Sequence, residues 1–249
     1  MKKTVILLNN AGGVGKTAAV ASLAGLAVTE GMRVLCVDLD PQATLTRQFL
    51  PSPPETDIGA ALRGGRLPVS NVLFNFDLVP SSPNLQDSDR ANGIAAGDYS
   101  GVARALSPMK TRYDLILVDC PPSLGYLSRC AIAAADYILS PVLPDIKSLI
   151  GLQHLEAAVA EYATKDVLGI DGVFLANYNG RRRLDAEIAA KISELYEDRL
   201  YMAKIRQCNK VRECLTEWTD VATYAPTSNA ATDYRRLLTE LTKRLENNE

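Results

Sequence analysis

Residues 5–17 of the chain read Val5-Ile6-Leu7-Leu8-Asn9-Asn10-Ala11-Gly12-Gly13-Val14-Gly15-Lys16-Thr17. An aliphatic run ends in a glycine-rich turn, and the turn leads into a helical pattern that contains the lysine and the threonine. This order is typical of a phosphate-binding loop, in which backbone N–H groups and the positive end of a helix dipole surround phosphate oxygens. The spacing matches the standard loop Gly-x-x-x-x-Gly-Lys-Thr if its first glycine is relaxed to Asn10, so the stretch is a variant of that loop.

The residue types of the loop predict separate tasks around phosphate groups. Gly12, Gly13 and Gly15 can adopt positive φ, which would let backbone N–H groups close around phosphate oxygens. Lys16 is expected to reach the β- and γ-phosphates, and the Thr17 hydroxyl is expected to hold Mg²⁺. The alternative is a glycine-rich turn with an incidental lysine, which the complete order of strand, loop, Lys-Thr and helix disfavours.

The length and composition of the chain predict one α/β domain that covers residues 1–249. Hydrophobic residues make up 47% of the chain, enough for a sizeable core, and no stretch has the uninterrupted apolar length of a membrane span. The net charge of −2 excludes a global positive field, so any contact with DNA must come from a local basic patch. Five scattered cysteines, an odd number, predict reduced thiols in a cytoplasmic protein.

Aliphatic runs alternate with helical patterns along the chain, which predicts a doubly wound, mostly parallel sheet with helices on both faces. The predicted strands are residues 4–9, 33–38, 76–79, 115–119, 137–143 and 172–178. The predicted helices are residues 17–29, a short helix ended by Gly64-Gly65, a long helix from the segment 144–147 to about 164, residues 209–218, and residues 229–245. Residues 86–101 are left unassigned, and the strand signal is weaker beyond residue 200.

Acidic residues follow two of the predicted strands at their carboxyl ends. Asp38 and Asp40 lie one residue apart after the second strand, and Asp119 ends the strand 115–119. Ligands bind at this edge of an open α/β sheet, so the three carboxylates are expected beside the phosphate loop. Asp38 taken alone could cap the turn that follows it, an alternative that the two other acids disfavour.

Three motifs together resemble the ParA/MinD family of deviant Walker ATPases, and the ParA branch is the closer match. They are residues 10–17, Asp38-Leu39-Asp40-Pro41-Gln42, and Asp119-Cys120-Pro121-Pro122-Ser123-Leu124-Gly125. The resemblance runs from the first strand to about residue 183 and weakens beyond it. It implies a P-loop α/β fold and slow, partner-stimulated hydrolysis of ATP with Mg²⁺.

The resemblance also implies roles for individual residues. Asp40 would position or activate the attacking water, with Lys16 as the second catalytic residue. Thr17 would bind Mg²⁺ directly, while Asp38 and Asp119 would act on the ion through water. The loop and two residues near adenine would hold the nucleotide: Gly12, Gly13, Val14, Gly15, Lys16, Thr17, Ala18, Asn177 and Pro226.

One loop position departs from the family pattern. The family's second loop lysine, which reaches across a dimer to the partner's phosphates, should stand at Ala11. Either the lysine has been replaced in this chain, or the chain belongs to a subgroup without it, as some positioning ATPases for carboxysome-like cargo do. Lys147 is the candidate substitute, because it follows the carboxyl end of the strand 137–143, where nucleotide and partner should meet. The alternative is a solvated loop lysine.

Beyond ATP hydrolysis, the resemblance implies an ATP-bound homodimer that binds nucleoid DNA without sequence preference. Such a dimer positions a plasmid, a chromosome or a compartment such as a carboxysome, and a ParB-like or other small adaptor stimulates its hydrolysis. A run of arginines is, taken alone, most often a solvated turn, and a DNA-binding face is the alternative. The candidate DNA-binding residues are Arg181, Arg182, Arg183, Lys204, Arg206, Lys210 and Arg212.

The main alternative function is a MinD-like ATPase that cycles on membranes through an amphipathic tail. The pattern 229–245 places leucines on one side, but it lacks aromatic residues after Tyr234, and the chain ends Glu246-Asn247-Asn248-Glu249. A membrane-binding helix combines basic residues with large apolar groups. We therefore expect DNA binding rather than stable membrane association. A metabolic enzyme and an ATPase with a bridging iron–sulfur cluster are disfavoured, because neither a substrate-side motif nor suitable cysteine spacing is present.

Overall fold

The computed structural model describes residues 2–52, 55–86, 98–162 and 169–247. The eight strands of these residues join one sheet in the order β3-β4-β2-β5-β1-β6-β7-β8, in which β3 is antiparallel to β4 and the other neighbours are parallel. The strands are β1 (Lys3–Leu7), β2 (Val34–Asp38), β3 (Ser70–Leu73), β4 (Phe76–Val79), β5 (Leu115–Asp119), β6 (Tyr137–Val142), β7 (Gly172–Tyr178) and β8 (Leu200–Arg206). The predicted doubly wound, mostly parallel sheet is confirmed.

Helices cover both faces of the sheet. One face carries α3 to α7, and the other carries α1, α2, α9 and α10. The helices are α1 (Lys16–Thr29), α2 (Thr44–Phe49), α3 (Gly59–Leu62), α4 (Gly101–Leu106), α5 (Tyr126–Ala134), α6 (Ile146–Glu161), α7 (Arg183–Tyr196), α8 (Lys210–Glu213), α9 (Val221–Tyr224) and α10 (Asn229–Asn247).

The central strands are aliphatic at consecutive positions because both of their faces are buried. In β1, Val5 and Leu7 pack into one core, whereas Ile6 packs into the core on the other face. Every one of these side chains has 0% exposure. The continuous run of aliphatic residues that predicted this strand is therefore the pattern expected of a parallel strand between two helical layers.

The sequence analysis did not predict the two edge strands, β3 and β8. In β8, Tyr201, Ala203 and Ile205 are buried, whereas the residues between them are exposed. This strand buries one face, so it alternates in polarity and lacks the continuous aliphatic run of the central strands. The β3 strand is four residues long and likewise alternates between half-buried and exposed positions.

The helix predicted over residues 209–218 is wrong in its extent. The structure has the short α8 followed by a 3-10 turn over Cys214–Glu217, and the segment ends at Trp218 with a positive φ of 54°. Most of the unassigned segment 86–101 and the predicted end of the long helix near residue 164 lie outside the described residues.

Gly172, the first residue of β7, should not tolerate a side chain. A Cβ atom there would lie 2.5 Å from Cε2 of Tyr201 and 2.9 Å from the Tyr137 hydroxyl oxygen. Both tyrosines are buried and their hydroxyls are hydrogen-bonded to each other at 3.0 Å. Overpacking of this kind costs about 1–3 kcal/mol, so Gly172→Ala should lower the free energy of unfolding measured in urea by that amount. Gly169→Ala is the control, because its added Cβ has no atom within 4 Å among the described residues other than its chain neighbours. Equal stability of the two variants would contradict the prediction.

Candidate nucleotide-binding site

The residues singled out by their motifs meet at the carboxyl edge of the sheet. The strands β1, β5 and β2 are adjacent, and Asp119 stands in register with both Leu7 and Asp38. The end of β1 therefore delivers the phosphate loop to a position beside two buried carboxylates. This is the edge at which an open α/β sheet binds ligands.

The side chain of Asn9 anchors the loop to the neighbouring strand. Its amide nitrogen donates to the carbonyl oxygen of Pro141 at 2.8 Å, and its amide oxygen accepts from the N–H of Ala11 at 2.8 Å. Gly13 and Gly15 have φ values of 74° and 94°, a conformation that glycine can adopt without strain. Gly12 does not have a positive φ, although glycine can adopt one. Two glycines, rather than three, supply the left-handed turns of the loop.

The Lys16 side chain is folded back against its own loop. Its ammonium group donates to the carbonyl oxygens of Asn9 at 2.9 Å and Ala11 at 3.0 Å, and the residue is 6% exposed. Burial lowers the pKa of Lys16, an effect that the nearby carboxylate of Asp119 opposes. The lysine is thus held beside the loop, where an anionic ligand could replace the two carbonyl oxygens as its partner.

Thr17 and Asp119 form the opposite side of the site. The threonine hydroxyl donates to Oδ2 of Asp119 at 2.6 Å. The other carboxylate oxygen, Oδ1, is buried and has no hydrogen-bond partner among the described residues. Burial raises the pKa of Asp119 well above its usual value, and the neighbouring Asp38 adds to the rise. A buried carboxylate oxygen without a partner beside a hydroxyl fits a hydrated cation, which would supply the missing interaction.

Asp38 is completely buried and holds the backbone around it. One of its oxygens accepts from the N–H of Asp40 at 3.0 Å, and the other accepts from the N–H and the hydroxyl of Thr46 at 2.9 and 2.7 Å. Burial raises its pKa to about 7, although the hydrogen bonds from Thr46 oppose this rise. The capping role considered as an alternative for Asp38 is therefore present in the structure, where the carboxylate accepts from the first turn of α2.

Asp40 is half-buried, and one of its carboxylate oxygens accepts from the N–H of Gln42 at 2.8 Å. Among the described residues, no group of three His, Cys, Asp or Glu side chains is close enough to hold a metal ion by itself. Magnesium in nucleotide sites takes one or two protein ligands and completes its shell with phosphates and water. The donors near Thr17 fit that arrangement.

A small cleft lies beside the loop. It is lined by Gly13, Val14, Gly15 and Ala18 together with Asn177 and the side of Tyr234. Asn177 has a φ of 52°, is exposed and lines this cleft. Pro226 is exposed in the turn before α10 and does not line this cleft.

The seven candidate DNA-binding residues do not form one uniform patch. Arg206 is paired with Asp233 through two hydrogen bonds of 2.7 and 2.8 Å, and it lines the small cleft beside the loop together with Arg212. Lys210 is paired with Glu213, and Arg183 is paired with Glu187. Arg181 and Arg182 are exposed at the turn that follows β7, and Lys204 is exposed and stacks over the ring of Tyr178 at 5.0 Å.

A groove between β8 and α10 brings together basic residues that the sequence analysis did not assign to one surface. This basic groove is defined by Lys204, Arg206 and Arg236, is also lined by the acidic Asp233 and Glu240, and has a volume of about 650 Å³. Arg236 was missed because it lies in the terminal helix pattern, 30 residues after Arg206 in the chain. The Arg235-Arg236 pair on the polar side of that pattern was the signal available.

The candidate cross-dimer lysine lies at the same sheet edge as the loop. Lys147 is exposed in the first turn of α6, a helix whose start is capped by Asp145 through a 2.8 Å hydrogen bond from the N–H of Ser148. Ile146 and Ile150 on the same turns are 57% and 47% exposed. This lysine therefore stands within an exposed apolar surface beside β6, which neighbours the loop strand.

The family of the chain follows from comparison with known proteins. A profile described as "AAA domain" matches residues 2–168. A protein of Chlamydia muridarum described as "ParA family protein" is 30% identical over 247 residues, spanning 96% of this chain and 97% of that protein. This chain belongs to the ParA family. The chromosome-partitioning ATPase Soj of Thermus thermophilus is 32% identical over 247 residues, or 98% of this chain and 97% of that protein.

Solved structures share the fold of this ParA-family chain. Apo McdA from Cyanothece superposes with a TM-score of 0.84 at 21% identity and covers 98% of this chain and 99% of its own. Cobyrinic acid a,c-diamide synthase from Mycobacterium smegmatis, solved with bound ADP and magnesium, has a TM-score of 0.84 at 23% identity, covering 100% and 97%. These similarities establish the α/β fold.

The terminal helix of this ParA-family chain contributes its apolar side to the core. Leu237, Leu238, Leu241 and Leu245 are 0–1% exposed and pack in the core layer formed with α1 and β8. Among the described residues, no helix has the length and apolar character needed to cross a bilayer.

Proposed function

We propose that this ParA-family chain is an ATPase that works as a single domain, forms an ATP-dependent dimer and positions a large cargo. The observation that carries the proposal is the Thr17–Asp119 hydrogen bond next to the buried Lys16, which assembles loop lysine, hydroxyl and carboxylate at one edge of the sheet. Similar proteins include a chromosome-partitioning ATPase, a plasmid partition protein and McdA. Their similarity supports the proposal that this chain positions a cargo.

ATP and Mg²⁺ are the proposed ligands of this site. Backbone N–H groups of residues 12–18 would surround the phosphates, and Lys16 would exchange its two carbonyl partners for phosphate oxygens. Thr17 would hold Mg²⁺, and Asp119 and Asp38 would accept hydrogen bonds from its water ligands. The ion, when bound, neutralises charge that develops on the phosphate oxygens.

Asp40 is the proposed catalytic residue that orients water. It is half-buried at the end of β2, and its backbone is fixed by Asp38, so a carboxylate is available beside the loop. Phosphoryl transfer depends mainly on positioning and on charge stabilisation, so a carboxylate that orients water makes a large contribution. We propose that hydrolysis by this site alone is slow, because the chain supplies groups that position the reactants. A ParB-like protein or another small adaptor would accelerate it.

The dimer is proposed to close over the phosphate loop, with two nucleotides between the copies. Lys147 and the exposed Ile146 and Ile150 lie at the sheet edge that the second copy would cover. Lys147 would then supply to the partner's phosphates the charge that Ala11 lacks. The cargo class proposed is a plasmid, a chromosome or a protein compartment such as a carboxysome.

Non-specific DNA is the proposed matrix, which would place the protein in the cytoplasm on the nucleoid. The basic groove supports this proposal, because Lys204 and Arg236 are exposed and Gly180, which precedes the arginine turn at 181–183, lines the same groove. A dimer would present two such grooves and so engage twice as many DNA phosphates, whose neutralisation determines affinity for DNA.

We expect ATP-dependent, sequence-independent DNA binding that Lys204→Glu combined with Arg236→Glu weakens at least about 10-fold. The measurement is a mobility shift of two unrelated duplexes across a salt series. The slope of log affinity against log salt should fall by roughly one unit for each DNA phosphate that the variant no longer neutralises. The matched control is Lys191→Glu combined with Lys243→Glu, which makes the same charge change at exposed positions outside the groove.

The same preparation should be tested with liposomes of anionic phospholipid in the presence of ATP. Sedimentation with liposomes and no shift of any duplex at low salt would contradict the DNA proposal and favour the membrane alternative. An equal loss of DNA binding in the control variant would contradict the assignment of the groove.

A further inference from the structure

We propose that Ser81, which follows β4, is a positioning residue for Asp40. The inference rests on the proposed role of Asp40 in orienting water. Ser81 is 1% exposed, and its hydroxyl donates to the carbonyl oxygen of Asp40 at 2.7 Å. The N–H of the same residue donates to the Thr46 hydroxyl oxygen at 2.9 Å. One buried serine thus contacts both ends of the turn that carries the catalytic carboxylate.

The hydrogen bonds form a closed path around that turn. The Thr46 hydroxyl that accepts from Ser81 donates in turn to Oδ2 of Asp38, and Oδ1 of Asp38 accepts from the N–H of Asp40. The backbone of Asp40 is therefore held at its N–H by Asp38 and at its carbonyl oxygen by Ser81. Ala43 adds a third bond, because its N–H donates to the same carbonyl oxygen at 2.8 Å.

The turn needs this support because its own conformation is unfavourable. Ala43 has a φ of 51°, in the left-handed region that residues other than glycine seldom adopt, and it is 4% exposed. A strained backbone persists when surrounding contacts hold it in place. Ser81 supplies such a contact from the segment after the neighbouring strand β4, 41 positions away in the chain. The Asp40 side chain itself is half-buried, so its position depends on the backbone that Ser81 holds.

Small displacements of a positioned group strongly reduce the rate of a reaction that depends on orientation. Within the described residues, the hydrogen bonds from the N–H and the hydroxyl of Ser81 reach neither the phosphate loop nor the candidate metal ligand Asp119. Removal of its hydroxyl should therefore lower the rate of hydrolysis and leave the affinity for ATP unchanged. A residue that merely stabilised the fold would not separate these two quantities.

The test compares Ser81→Ala with the unaltered chain and with Ser22→Ala as the matched control. Ser22 is equally buried, at 1% exposure, but its hydroxyl donates within α1 to the carbonyl oxygen of Ala18. We expect Ser81→Ala to lower single-turnover ATP hydrolysis about 10-fold or more, with an equilibrium dissociation constant for ATP within about 2-fold of the parent. Thr46→Ser, which keeps the hydroxyl, should retain more activity than Thr46→Val.

Two further measurements tie the effect to Asp40. In the Asp40→Ala background, Ser81→Ala should add less than about a 2-fold change, because residues that act as one unit are non-additive. In nucleotide-free protein, amide hydrogen exchange at Asp40 and Ala43 should be faster in Ser81→Ala and unchanged in Ser22→Ala.

Each contrary result has a distinct meaning. Equal effects of Ser81→Ala in both backgrounds, unchanged exchange at the turn, or a loss of ATP affinity would overturn the positioning role while the role of Asp40 stands. If Asp40→Ala hydrolyses ATP as fast as the parent, the assignment of Asp40 fails first and the positioning proposal fails with it.

Discussion

Lys16→Ala is expected to abolish ATP binding, whereas Asp40→Ala is expected to preserve binding and slow hydrolysis by about 10²-fold or more. The difference follows from where the two groups lie. The ammonium group of Lys16 is buried in the loop and held by two carbonyl oxygens, so phosphate is the partner that would compensate its burial once bound. The carboxylate of Asp40 is half-buried at the rim of the site, where it can contact water.

Equilibrium titration with a fluorescent ATP analogue and single-turnover hydrolysis separate these two effects. Asp40→Asn is a near-isosteric companion that removes the charge while keeping the size of the side chain. Lys243→Ala is the control for removal of a lysine from an exposed position far from the loop. Turnover of Asp40→Ala at the parent rate would contradict the catalytic assignment, and retained ATP binding by Lys16→Ala would contradict the assignment of the loop.

The sequence predicts those parts of the structure whose determining residues are close together in the chain. The phosphate loop lies within thirteen residues, and the central strands are recognisable because burial on both faces requires an unbroken aliphatic run. The edge strand β8 has one buried face and carries Met202, Lys204 and Arg206 on the exposed side, so its sequence does not show that run. Its place at the edge of the sheet follows from its parallel pairing with β7.

The parts that the sequence could not predict are contacts between distant positions. Arg206 is one cation in a basic segment, yet Asp233, 27 positions later, neutralises it, and the pair is visible only once α10 packs beside β8. The contact between Ser81 and Asp40 spans 41 positions and depends on β4 pairing with β2. Gly12 shows a limit of another kind, since the identity of a residue permits a positive φ but does not require it.

The second large expected effect concerns the dimer and starts from Ala11, the position where the resemblance implies a second loop lysine. In the Asp40→Ala protein, which should accumulate the ATP-bound state, Lys147→Ala is expected to weaken dimerisation by about 2 kcal/mol or more, roughly 30-fold. A cation brought against phosphates in a closed interface loses its water, so its removal leaves phosphate charge uncompensated. The placement supports this expectation, because Lys147 is exposed in the first turn of α6 between two exposed isoleucines.

A lysine in the first turn of a helix opposes the helix dipole, which favours anions there. An interaction of Lys147 with the nucleotide phosphates bound to a second copy would offset this unfavourable interaction with the dipole. A solvated lysine would have no such compensation. Light scattering of the Asp40→Ala protein with ATP, with and without Lys147→Ala, distinguishes the two cases. Lys191→Ala, on the exposed side of α7, is the matched control.

Restoration supplies the decisive comparison. If Lys147 replaces the loop lysine, adding Ala11→Lys to the Lys147→Ala protein should restore the dimer, because the same charge then reaches the partner's phosphates from the loop. Ala11 is half-buried, and its N–H and carbonyl oxygen are engaged by Asn9 and Lys16, so its side chain is the part free to be extended. A Lys147→Ala protein that dimerises as well as its parent would remove Lys147 from the interface. A parent that fails to dimerise until Ala11→Lys is introduced would show instead that the loop alanine itself disables the dimer.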